Sequence, residues 1–227
     1  MRLLLVRHGI TQNNLDKTYT GQTDVPLTEL GRRQAEAVAS YLSGEKLDVI
    51  ISSDLQRARD TAVAIARYHK LPVQEDPDLR EISMGWWESL GRAQIEERDK
   101  EEFAYVRADP VNRAPTGGEN FAQLRERAAR ILQRCKEQYP GQTILWVTHG
   151  GFIEGAICHA LKLDLAYRHC FRQENTSVTE LQFIEELPWI ARLNDIAHLR
   201  LLLLPEQDIA TNAKPAVMTS KLSQKQR

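Results

Sequence analysis

Apolar residues along the chain alternate between short unbroken runs and longer stretches of three-four spacing. Leu3 to Val6 is the first short run and leads at once into Arg7-His8-Gly9. An apolar run without polar alternation reads as a strand buried on both faces, as in a parallel sheet. The polar, turn-rich sequence that follows, Thr11 to Asn14 and Gly21 to Thr28, predicts a long loop and no helix directly after the strand. Thr28-Glu29 then opens a helix whose apolar face carries Leu30, Ala37, Val38, Tyr41 and Leu42, with Gly44 closing it.

Leu47 to Ile51 predicts a second strand, and Ser52-Ser53-Asp54 offers several helix N-caps. Leu55, Ala58, Ala62, Ile65 and Ala66 share the face of the next helix, with Arg57 in its first turn. Leu71 to Gln74 predicts a short third strand, Leu79 to Glu88 an irregular segment, Leu90 to Tyr105 a charged helical stretch and Asp109 to Gly118 a break. Leu124, Ala128, Ile131, Leu132, Cys135 and Tyr139 mark a helix that starts at Phe121 and ends at Pro140-Gly141. Thr143 to Thr148 repeats the opening pattern, an apolar strand running into His149-Gly150-Gly151 and an apolar helix. Thr176 to Phe183 and Trp189 to Leu193 predict a pair of strands, and Leu199 to Leu204 a late strand, a helix end or a packing strip. Strands alternating with helices in this way predict an α/β fold, a three-layer sandwich whose mostly parallel central sheet, with one antiparallel strand, is flanked by helices.

Composition narrows the picture. A chain of 227 residues, 42% of them apolar, suits one domain, expected over 1–205, with the polar stretch 206–227 expected to be a disordered tail. The net charge of −1 offers no basic field for nucleic acid or an anionic membrane, so any bound anion must be caught by a local cluster. Cys135, Cys158 and Cys170 show neither paired nor metal-type spacing, which fits a reducing cytoplasm. The apolar run before Arg7 is only four residues, Leu3 to Val6, too few for a signal peptide, and no run approaches the roughly 18 of a membrane span.

Arg7, His8, Arg57, Glu81 and His149 all fall at strand ends or in loops after strands. Parallel strands gather those ends on one edge of the sheet. Two arginines in one pocket repel unless an anion lies between them, and a phosphate dianion matches the guanidinium fork. Two histidines and a carboxylate beside that anion supply a nucleophile and a proton donor.

The residues also resemble a known family. Arg7-His8-Gly9 with Thr11 and Asn14, Gly21, Asp24, Pro26-Leu27-Thr28, Leu30-Gly31, Ser52-Ser53-Asp54-Leu55, Arg57-Ala58 and Thr61-Ala62 are similar to motifs of the histidine phosphatase superfamily, the phosphoglycerate-mutase-like proteins. Leu79-Arg80-Glu81, Gly85, Trp87-Glu88, Gly118-Glu119, Thr148-His149-Gly150-Gly151, Asn194-Asp195 and His198-Leu199 extend the resemblance over about residues 1 to 204. It implies a phosphohistidine on His8, phosphoryl oxygens held by Arg7, Arg57 and His149, a further polar contact from Asn14, and Glu81 as general acid. The N–H groups at Gly150-Gly151 suit the same anion. No metal or cofactor is expected, and the expected partner is a small phosphorylated metabolite, with a homodimer as a further option. Ile10 and Ser89 depart from the family pattern, which often has Glu and Gly there.

Hydrolysis of small phosphomonoesters is the first reading; phosphoglycerate mutase chemistry and a non-catalytic phospholigand module are the alternatives. Sixty-seven residues separate Glu81 from His149, fewer than the insertion typical of the mutases implies, which favours hydrolysis. Glu75, Asp76, Asp78 and Glu88 lie near Glu81 and compete for its role. His69, His159 and His169 are expected to be structural and His198 to cap or pack. Trp86, Trp87, Phe103, Tyr105 and Phe121 are expected to border the site entrance and to favour an apolar or aromatic leaving group over a small, highly charged one.

Overall fold

The computed structural model describes residues 1–184 and 187–203. Six strands form one sheet: β1 (Arg2–Arg7), β2 (Val49–Ser52), β3 (Val73–Glu75), β4 (Thr143–Thr148), β5 (Val178–Ile184) and β6 (Leu187–Asp195). Their order is β3-β2-β4-β1-β5-β6. β1, β2, β3 and β4 run parallel, while β5 is antiparallel to both β1 and β6. The helices are α1 (Gln12–Asp16), α2 (Glu29–Leu42), α3 (Gln56–His69), α4 (Arg92–Arg98), α5 (Lys100–Ala108), α6 (Phe121–Gln138) and α7 (Gly150–Ala160). This is the expected α/β sandwich with one antiparallel strand. The expectation for 206–227 falls outside the described residues.

The period-two alternation of strand side chains divides the core into two layers. Leu3 and Leu5 of β1, Val49 and Ile51 of β2, and Ile144 and Trp146 of β4 pack against α6 and α7 through Leu124, Ile131, Phe152 and Ile157. Leu4 and Val6, Ile50, and Leu145 and Val147 point the other way, onto Val38 and Leu42 of α2 and Ala58, Ala62 and Ile65 of α3. Both faces of β1, β2 and β4 are therefore buried, which is why their sequences show unbroken apolar runs, whereas β3 at the sheet edge is partly exposed. Each fully buried Leu or Ile here contributes on the order of 2 kcal/mol.

Several local expectations are corrected. A short helix, α1, does follow β1, because Thr11 and Asn14 form a reciprocal capping box. The buried face of α2 is Gly31, Ala35, Val38, Ala39 and Leu42, whereas Leu30 and Tyr41 are exposed. The α3 N-terminus lacks a side-chain cap from its own N-cap residue, and Gln56 N–H instead donates to Asp24 Oδ1 at 2.7 Å. The charged stretch after Leu90 is two helices, broken at Asp99, whose side chain caps α5. Leu199 falls in a 3-10 turn over Ala197–Leu203. Trp87 and Phe103, expected at the site entrance, are buried with Ile95 and Val106 in a small satellite core, and Tyr105 lies exposed on the surface.

Candidate active site

The carboxyl ends of β2, β4 and β1 lie side by side, and register decides what meets there. Arg7 pairs with Thr148, so the next residues along the two strands, His8 and His149, are neighbours; their rings lie 5.1 Å apart. His8 N–H donates to Thr148 O at 2.9 Å, which continues the ladder past the strand. Gly9 N–H donates to Thr61 Oγ1 on α3, and a Cβ at Gly9 would meet Gly31 O at 2.5 Å, so the turn admits only glycine.

A backbone carbonyl settles the tautomer of the His8 ring. His8 Nδ1 lies 2.7 Å from Gly9 O, a carbonyl that only accepts, so Nδ1 carries the proton and Nε2 keeps its lone pair. Ser53 Oγ accepts from Leu55 N–H and stands 2.9 Å from His149 Nε2. His149 Nδ1 is buried with no partner among the described residues. Burial, then the charge of Arg57, holds both imidazoles well below their ordinary pKa, so both are neutral at neutral pH.

Arg7 and Arg57 flank the pair, and each is tethered by carbonyls that leave Nε free. Arg57, 1% exposed, donates to Thr23 O and Gly21 O, and Arg7 donates to Gln173 O. Both Nε atoms are buried without a partner among the described residues. Desolvation lowers the pKa of Arg57 to about 10 and that of Arg7 in the same direction, and both stay charged at neutral pH. Buried polar donors are ordinarily paired, so unpartnered donors converging on one place mark where an acceptor belongs.

Glu81 faces them from the loop after β3. Its Oε1 accepts from Ile82 N–H at 2.9 Å and its Oε2 from Gly151 N–H at 3.0 Å. Arg127 of α6 holds that loop by donating to the carbonyls of Asp78, Arg80 and Glu81 and to the Glu119 carboxylate. Of the competing acids, Glu88 accepts from Gln22 N–H, Met84 N–H and Thr23 O–H and so clamps two loops. Asp76 and Asp78 pair with Arg134, and Asp78 also with Arg130. Glu75 is exposed, 4.0 Å from Arg59.

A cavity of about 470 Å³ lies over this group, lined by Arg7, His8, Asn14, Arg57, Glu81 and Gly150, six of the seven expected site residues, with His149 buried beside His8. Asn14 Oδ1 accepts from Thr11 and Asn175, so its NH2 is the arm left for a ligand. Gly151 N–H is already taken by Glu81, which leaves Gly150 as the anion-facing amide. Sequence reasoning missed Glu154, Arg172 and Gln173 in the lining and assigned His169, which also lines the cavity, to a structural role. Glu154 lies one helical turn beyond Gly150, a position legible only once α7 is known to start at the cavity. Burial and the nearby Glu81 raise its pKa to about 7. Ile10 is outside the lining; its backbone binds Gln34 and Thr28. Ser89 has φ of 65°, a left-handed conformation that explains the preference for glycine there.

Comparison with known proteins identifies the family. The pattern of the histidine phosphatase superfamily (branch 1) matches residues 3–196. Phosphoserine phosphatase 1 of Hydrogenobacter thermophilus is 32% identical over 199 residues, 88% of this chain and 94% of that protein. Phosphoglycerate mutase-like protein 4 of Arabidopsis thaliana is 35% identical over 204 residues, 87% of this chain and 86% of that one. The crystal structure of the alpha-ribazole phosphatase from Shigella flexneri superposes with a TM-score of 0.82 at 30% identity, covering 86% of this chain and 96% of that chain. The chain thus belongs to the histidine phosphatase superfamily, branch 1.

Proposed function

We propose that this protein hydrolyses small phosphomonoesters, without a metal, through a phosphohistidine on His8. The observation that carries the reading is the two buried guanidinium donors without partners among the described residues, Arg7 Nε and Arg57 Nε, on side chains close to an imidazole whose Nε2 lone pair is free. The Nε2 lone pair attacks phosphorus, an N–P bond forms, the P–O bond to the leaving group breaks, and protonated Glu81 gives its proton to the departing oxygen. Water then attacks phosphorus, Glu81 takes its proton, and the N–P electrons return to His8 as inorganic phosphate leaves. Fixed cations offset the charge that spreads over the phosphoryl oxygens in both steps.

The leaving group we propose is apolar or aromatic, since Ile82, Met84 and Phe121 supply an apolar part of the cavity lining. Similarity to a phosphoglycerate mutase-like protein favours transfer to a bound product as the second reading. A panel of phosphomonoesters tested with chelator present separates the two. Release of inorganic phosphate, with label on His8 after rapid quench, is the expected result. Phosphoryl exchange between phosphoglycerates without release would establish the mutase, and label on another residue would remove His8 from its role.

A further inference from the structure

Beside the first cavity lies a second, of about 340 Å³, and the two share Ile82, Met84, Phe121 and His169 as a common wall. Its remaining apolar lining includes Tyr19, Trp87 and Val106. What distinguishes it is charge: Arg107, Arg113 and Arg168 all line it, and none of the three forms a salt bridge among the described residues.

Each guanidinium is placed by aromatic or backbone contacts and not by a carboxylate. Arg113 lies 4.2 Å over the Tyr105 ring and donates to Tyr105 O, and Arg107 lies 6.0 Å over Phe103. Arg168 is 5% exposed, lies 4.2 Å over Phe121 and donates Nη1 to Leu165 O, while its buried Nε has no partner among the described residues. The acid in the lining, Glu119, is bound through both oxygens to Arg127 and is not available to neutralise them. Arg168 is buried, Arg113 half-buried and Arg107 exposed at the rim. An anion with an apolar body suits three like charges around a mostly apolar chamber, above all the buried guanidinium, since a charge taken out of water needs a paired counter-charge.

We infer that the second cavity receives the far end of the substrate's leaving group, and that this end carries a second anionic group, a carboxylate or phosphate, held by Arg107, Arg113 and Arg168. The substrate class is then a phosphomonoester with an apolar or aromatic middle that spans the Phe121 wall and an anion at the opposite end. This inference rests on the proposed hydrolase reading for the placement of the first phosphate over His8.

The test uses phenylphosphonates, which cannot be hydrolysed, bearing a para alkyl chain of one to four methylenes that ends in a carboxylate or in its methyl ester. Affinities for the full-length protein are measured by calorimetry, and turnover is measured with the matching aryl phosphates. At the best chain length the acid should bind about tenfold more tightly than its ester, the scale of one charge-assisted hydrogen bond. Arg113→Gln and Arg107→Gln should each reduce that preference severalfold while leaving the affinity for plain phenylphosphonate unchanged. Equal affinity of acid and ester at every length overturns the inference, as does a preference that survives in both variants. An acid whose affinity is unchanged when inorganic phosphate saturates the first cavity binds at an independent site, and that also overturns it. Turnover reports on the other reading: a preference for the acid without hydrolysis of any ester defeats the hydrolase proposal alone.

Discussion

Glu81 and Gly151 are fitted to each other. Gly151 N–H donates to Glu81 Oε2 at 3.0 Å, and a Cβ at position 151 would lie 2.7 Å from Glu81 Oε1. The glycine at the start of α7 thus sets where the proposed proton donor stands. Gly151→Ala is expected to displace the carboxylate and to reduce kcat on an alkyl phosphate by about 10²-fold, within the range for general acid catalysis. An aryl phosphate, whose leaving oxygen needs little protonation, should form phospho-His8 at a near-normal rate and then hydrolyse slowly, as in Glu81→Gln. Rapid quench with both substrates is the measurement. Equal slowing of formation with both would move the acid role elsewhere, and Glu154, in the same cavity, is the next candidate.

Arg127 is expected to be a positioning residue. It reaches no ligand-facing atom in the proposed chemistry but donates to three consecutive-loop carbonyls and to Glu119. Lysine lacks the rigid fork that makes these bonds together. Arg127→Lys should therefore lower kcat by about tenfold or more with KM nearly unchanged, because the arginines proposed to hold phosphate are untouched. A change in KM alone would place Arg127 in substrate binding instead.

Two opposite pH dependences should be separable. His8 and His149 are held well below their ordinary pKa, so the folded state binds fewer protons than the unfolded one. Their contribution to stability is present above about pH 6.5 and is lost as pH falls below it, and kcat/KM should show no acid limb near that pH. Glu154 acts in the reverse sense: with its pKa raised to about 7, its contribution is fully present below the ordinary carboxylate range and is lost as pH rises through 7. Glu154→Gln should gain stability relative to the parent between pH 5 and pH 8, on the order of 2 kcal/mol. Melting temperatures across that range check it; a constant difference would count against a buried, titrating Glu154.

Residues 1–205 are proposed as the single folding and catalytic unit. The described sheet is complete at Asp195, and the first cavity is lined by residues between Arg7 and Gln173. Ending the chain after Pro205 should leave turnover and melting temperature nearly unchanged. A large loss of either would show that the last residues pack on the domain or reach the site.

The sequence alone determined the strands and the helices that cover them, because a strand buried on both faces must be an apolar run and a covering helix must repeat at three-four spacing. It also brought His8, Arg57, Glu81 and His149 to one edge, since parallel strands end on the same side. Tertiary structure decided what local pattern does not encode. Register set His8 against His149, and the Gly9 carbonyl set which nitrogen of His8 carries the proton. Asp24 capped α3 from a distant loop, and Glu88 became a loop clamp while Glu81 faced the cavity. The buried side of α2 shifted from Leu30 and Tyr41 to Gly31 and Ala35, where close packing against the His8 turn and α3 needs small residues. Trp87 and Phe103 turned inward for the same kind of reason: α4 and α5 lack enough aliphatic residues of their own to bury, so the aromatics became their core. Whether a side chain faces a core, a cavity or solvent depends on which element lies across from it, and that is a property of the assembled fold.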